Sequence, residues 1–153
     1  MLTLNQAAPD FTLSDTQNIA HSLTDYQGKW LILFFYPKDN TPHCTKEACS
    51  FRDDYSQFGD LNAQIIGINT NNNQSHLGFT EKHQLPFTLL SDPQGKVSAL
   101  YGALFKLGPL KYSKRHSFLI DPKGILVKIY RDVKAESHTQ ELLQDLNTLQ
   151  KIQ

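Results

Sequence analysis

The residues best equipped for chemistry are the two cysteines of the chain, Cys44 and Cys49, in the string Thr41-Pro42-His43-Cys44-Thr45-Lys46-Glu47-Ala48-Cys49. A thiol is a nucleophile only as its thiolate. Thr41 is of the type that caps a helix, and Pro42 suits the first helical position. The spacing therefore predicts Cys44 at the third position, inside the first turn. Free backbone N–H groups and the macrodipole favour negative charge there. Helix N-termini are among the settings that lower a thiol pKa from about 8.5 to about 3.5–7.5. The competing reading makes Cys44 a small buried hydrophobe, four residues before Ala48 on an apolar stripe. The Thr-Pro approach shifts the balance to a reactive thiol.

Cys49 is spaced C-x-x-x-x-C from Cys44, which disfavours a C-x-x-C dithiol reductase. On an intact helix the two Cα atoms would stand roughly 8–9 Å apart, and a disulfide wants less than about 7 Å. A Cys44–Cys49 bond thus requires the first turns to unwind. Redox partner and buried structural thiol both remain open for Cys49. A zinc site built on His43, Cys44 and Cys49 lacks a fourth ligand at recognisable spacing.

Positioning these residues requires a scaffold. The run 31–36 is nearly all apolar and aromatic, the pattern of a strand buried on both faces. Further strands are expected at 65–68, 117–120 and 125–130, with shorter ones at 11–13 and 87–90. Asp121-Pro-Lys-Gly124 reads as a hairpin turn. After Pro42, Ala48, Phe51, Tyr55 and Phe58 recur at helical spacing. Residues 74–83 form a weaker helix. Asp92-Pro93 reads as a helix start, with Val97, Leu100 and Tyr101 on one face. Ser137 and Gln140 read as a capping box ahead of the stripe Leu142, Leu143, Leu146 and Leu149. Alternation followed by a hairpin predicts an α/β chain with a mixed central sheet and helices on both faces, the order of a thioredoxin-like fold.

Composition excludes more than it selects. The chain has 153 residues, 15 basic and 15 acidic, and the formal net charge is zero. The length fits one domain over residues 1–153. Neutral balance offers no field for nucleic acid, and two cysteines are too few for a disulfide-rich scaffold. The longest apolar run is far short of the roughly 18 residues that span a bilayer. The stretch MLTLNQAAPDF has no signal-peptide pattern. The expectation is a cytoplasmic protein whose thiols are kept reduced, with neither nucleic acid nor membrane as partner.

The motif Pro37-x-x-x-Thr41-x-x-Cys44, within FYPKDNTPHCTKEACSFRD, resembles the active-site motif of peroxiredoxins, in the bacterioferritin comigratory protein or peroxiredoxin Q subfamily. Ala8-Pro-Asp-Phe11, Leu85-Pro-Phe-Thr-Leu-Leu-Ser-Asp-Pro93 and Arg115-His-Ser-Phe-Leu-Ile-Asp121 extend the resemblance over roughly residues 4–150. It implies a thioredoxin-like thiol peroxidase with no metal or organic cofactor, acting on hydrogen peroxide and organic hydroperoxides. By position, Cys44 is similar to the peroxidatic cysteine and Cys49 to the resolving one. Thr41 matches the threonine that orients the peroxide and contacts the thiolate. Pro42 matches the proline that shields the site, Arg115 the arginine that stabilises the thiolate, and Glu47 the acid that holds that arginine. Without the resemblance, Arg115 and Glu47 read as solvated surface charges. His43 stands where many relatives carry glycine; it reads as a tolerated exposed residue, or as added positive charge beside the thiolate. Thioredoxin or a similar dithiol carrier is the implied reductant, and a monomer or weak homodimer the implied assembly. The alternatives are a redox sensor that passes oxidation to a partner protein, and a binding module with an inert thiol. The pocket wall is expected to draw on residues 103–113.

Overall fold

The computed structural model describes residues 2–152. The run that sequence marks as most buried is strand β3, Trp30–Phe35, and every residue of it is buried. Its side chains alternate between two cores. Trp30, Ile32 and Phe34 join one apolar cluster, and Leu31, Leu33 and Phe35 join the other. That is the period-two alternation of a strand covered on both faces. β1 (Thr12–Ser14), β2 (Ala20–Ser22), β4 (Ala63–Asn69), β5 (Thr88–Ser91), β8 (Ser117–Ile120) and β9 (Leu126–Tyr130) complete a seven-stranded sheet. Its order is β2-β1-β5-β4-β3-β8-β9. β3, β4 and β5 run parallel, while β8 lies antiparallel beside β3. The mixed sheet is as expected.

The helices α1 (Pro42–Asp53), α2 (Tyr55–Asp60), α3 (Asn73–His83) and α5 (His138–Ile152) pack on one face through Ala48, Phe51, Phe58, Phe79, Leu142 and Leu146. α4 (Lys96–Leu100) covers the other face through Val97, with Phe11 from the N-terminal segment. Asp121 builds the expected β8–β9 turn: its Oδ1 accepts from the N–H groups of Lys123 and Ile125 at 2.9 and 3.0 Å.

Four local expectations are corrected. The helix expected to carry Ala48 through Phe58 breaks at Asp54, whose backbone leaves the helix while its carboxylate accepts from Thr139 and Gln140 of α5. The expected capping box is not made either: the Ser137 N–H donates to the Lys134 carbonyl at 3.3 Å, while the Gln140 amide nitrogen donates to Asp54. Asp92 does cap α4, but across a turn. Gly95 N–H donates to its carbonyl, and its carboxylate accepts from Val97 and Ser98, so Pro93 is not the first helical residue. Leu100 is exposed, not on a shared face with buried Val97 and Tyr101. Within the span expected to wall the pocket, residues 104–113 are regular. β6 (Leu104–Leu107) and β7 (Leu110–Ser113) form a separate hairpin, turned at Gly108 and fastened by stacked Phe105 and Tyr112.

Candidate active site at the start of helix α1

Helix α1 begins where sequence places it. Thr41 has extended φ and ψ, Pro42 is the first helical residue and Cys44 the third. The first intrahelical bond runs from Thr45 N–H to Thr41 O at 2.8 Å. The N–H groups of His43 and Cys44 therefore precede the ladder and are free to face an anion. The Thr41 hydroxyl does not cap the helix: it donates to the Lys38 carbonyl at 2.8 Å. With its hydrogen engaged there, its oxygen lone pairs are available to accept from a substrate O–H. Among the described residues no hydrogen bond joins Thr41 to the sulfur, where the resemblance implies a contact. Pro42 and His43 are exposed on the first turn.

Cys44 is 1% exposed and Cys49 half-buried, both as free thiols on one unbroken helix. The Arg115 guanidinium reaches the sulfur, with Nη2 at 3.2 Å from Sγ. Its Nη1 donates to Glu47 Oε1 at 2.9 Å. β8 delivers Arg115. Because β8 pairs antiparallel with β3, the residue two before Ser117 lies at the end of β3 from which the chain passes into α1.

Glu47 is fully buried, where sequence alone reads a solvated carboxylate. Burial pushes its carboxyl up to about 7, against the pull of Arg115. The remaining oxygen, Oε2, is buried without a partner. For Arg115, burial works against the charge, but the neighbouring Cys44 and Glu47 outweigh it and hold the guanidinium above its ordinary value. The group is a fixed cation wedged between sulfur and acid. Such an arrangement stabilises a thiolate and any charge that develops beside it.

Beside the loop, a cavity of about 460 Å³ is lined by Pro37, Lys38, Thr70, Asn71 and the hairpin residues Leu110, Lys111 and Tyr112. Residues of 103–113 thus form a wall next to the site, although Cys44 is not among the lining residues. No group of three or more His, Cys, Asp or Glu suited to a metal occurs among the described residues. No helix among them is long and apolar enough to cross a membrane. Sequence reading missed Asp39 and His76, which meet in a buried pair at the base of the same loop. They are 37 residues apart, and only the tertiary fold joins them.

Residues 4–129 match the AhpC/TSA family. The chain belongs to that family. Bcp and peroxiredoxin Q proteins are among its relatives. Peroxiredoxin Bcp of Bacillus subtilis is 41% identical over 152 residues, 97% of each chain. Among solved structures, peroxidoxin BcpB of Mycobacterium tuberculosis superposes with a TM-score of 0.90 at 30% identity, covering 97% of this chain and 98% of that one. The Xanthomonas campestris bacterioferritin comigratory protein, studied for alkyl peroxide reduction, gives a TM-score of 0.85 at 28% identity and 90% coverage of both chains. The fold of this family member is thus the thioredoxin-like peroxiredoxin fold.

Proposed function

We propose that the chain is a thiol peroxidase acting on hydrogen peroxide and organic hydroperoxides. The observation that carries this reading is Arg115, held by buried Glu47 and set 3.2 Å from a sulfur in the first turn of a helix. Kinship with peroxiredoxin Bcp supports it.

In this reading the Cys44 thiolate attacks one peroxide oxygen. The O–O bond breaks, the sulfur is oxidised to sulfenic acid, and the departing oxygen leaves as alcohol or water after taking a proton. Charge grows on that departing oxygen. The Cys44 N–H and the Arg115 guanidinium are the donors suited to meet it. Thr41, its hydrogen committed to Lys38, accepts from the peroxide O–H and so orients it. Exposed Pro42 caps the mouth, and Cys44 stays almost wholly covered.

Cys49 then attacks the sulfenic sulfur and water is released, giving an intramolecular disulfide. Thioredoxin or a similar dithiol carrier reduces it and returns both thiols. On a helix unbroken from Pro42 to Asp53, this step requires α1 to unwind locally.

Peroxide consumption coupled to a thioredoxin system is expected to vanish in Cys44→Ser; persistence would overturn the assignment. Mass spectrometry after one equivalent of peroxide checks the second role. Wild type is expected to lose two hydrogens as a Cys44–Cys49 disulfide, and Cys49→Ser to accumulate a trappable sulfenic acid.

A further inference from the structure

The loop that carries the chain from β3 into α1 is anchored by a polar cluster that the proposed chemistry does not use. Asp39 is 5% exposed and His76, on α3, is fully buried. Four donors converge on the Asp39 carboxylate. Oδ1 accepts from Tyr36 Oη at 2.6 Å and Asn69 Nδ2 at 3.2 Å. Oδ2 accepts from Ser75 Oγ at 2.8 Å and lies 2.7 Å from His76 Nδ1. The other ring nitrogen, Nε2, lies 3.1 Å from the Leu90 carbonyl, which can only accept. An acceptor thus faces each ring nitrogen, a geometry that suits a ring donating from both. The backbone is tied as well, since Asp39 N–H donates to Asn71 Oδ1 at 2.8 Å. Burial alone would raise the Asp39 carboxyl, but the bonds from His76, Tyr36 and Ser75 hold it below its ordinary value.

The next residue, Asn40, has φ +64°, a left-handed conformation that asparagine tolerates better than most side chains. Thr41 and the helix follow at once. A fixed point therefore sits immediately before a left-handed residue, and that residue immediately before the reactive turn.

We propose that Asp39 and His76 are positioning residues, a buried carboxylate–imidazolium pair that pins the chain ahead of left-handed Asn40 and so keeps the first turn of α1 wound. None of the hydrogen bonds of the pair reaches the sulfur. The pair acts through the loop, and it sets how readily Cys44 leaves its place against Arg115 to meet Cys49. That consequence rests on the thiol cycle proposed above; the claim about winding does not.

The experiment uses the reduced protein without peroxide, so it stands apart from whether the chain is a peroxidase. Nitrogen-15 NMR is expected to show both His76 ring nitrogens protonated at neutral pH; one bare nitrogen would overturn the pair. Amide exchange is then compared across wild type, His76→Phe and Asp39→Asn. Asp39→Asn, nearly isosteric, serves if the other variant fails to fold. Protection of residues 45–48, whose N–H groups close the first turns of the helix, is expected to fall about tenfold or more beyond any change in β3 and α5. The double variant should fall no further than either single one. Unchanged protection at 45–48, a fall only in step with β3 and α5, or an additive double variant would each overturn the proposal. Peroxide consumption persisting in Cys44→Ser would instead overturn the peroxidase reading and leave the winding result untouched.

Discussion

Glu47 shows what a single residue contributes to the site and what it costs. Its carboxyl gives Arg115 a fixed partner at 2.9 Å, yet its second oxygen is buried without one. Burial raises its folded pKa from the ordinary 4.5 to about 7. The unfolded chain ionises near 4.5, and the folded chain resists ionisation until about 7. The group's favourable contribution is therefore fully present below about 4.5 and lost as pH rises through about 7, a swing of about 3 kcal/mol. Urea unfolding of wild type between pH 4.5 and 8 is expected to show this loss. Glu47→Gln should flatten it, because the amide does not titrate. A profile identical in the two proteins would mean that Glu47 does not titrate in that window. Cys44 could be singled out in the sequence because helix-start residues are local: Thr41 and Pro42 sit within three positions of it. Burial of Glu47 could not, because it depends on Arg115, which is 68 residues away.

At the scale of elements, α1 is held unevenly along its length. Its second half is fixed by Phe51, which stacks on Phe34 at 4.7 Å and meets Phe58, Phe87 and His138. Arg52 adds a bond to the His83 carbonyl of α3. The first turn instead carries exposed Pro42 and His43. Unwinding to bring Cys44 to Cys49 should therefore start at the N-terminal end and stop short of Phe51. Stoichiometric peroxide is expected to remove about one to two turns of helix from wild type by far-UV circular dichroism, with none lost in Cys49→Ser. Equal loss in both would detach the change from disulfide formation. The same elements show where a sequence is legible. β3, β4, β8 and α3 follow from apolar runs and spacing because each satisfies its pattern locally. The break at Asp54 follows from side chains of α5, 85 and 86 residues away. The β6–β7 hairpin lacks a buried face for alternation to reveal. Its only local signals are Gly108-Pro109 and the aromatic pair Phe105 and Tyr112 on either side.

Across the whole molecule, the sheet centre sets the geometry of the site, and Gly67 is the point where it has no slack. In the parallel register Gly67 of β4 lies opposite Phe34 of β3. A Cβ there would stand 2.7 Å from both Phe34 Cζ and Leu89 Cδ2. Glycine is thus required by close approach, and the absent side chain leaves room for the Phe34 ring. That ring stacks on Tyr36 and Phe51, so it joins the sheet to the loop anchor at Asp39 and to the fixed half of α1. Gly67→Ala must displace the ring or Leu89, and overpacking of this kind costs about 1–3 kcal/mol. The expected result is a matching fall in unfolding free energy in urea. Phe34→Leu removes the nearest ring atoms and is expected to destabilise by itself through lost packing. The two changes in one chain should cost less than the sum of the singles, because the smaller side chain vacates the space the new methyl needs. Simple additivity would place the strain on Leu89 alone, and Leu89→Ala in the Gly67→Ala background would then be the variant that recovers stability.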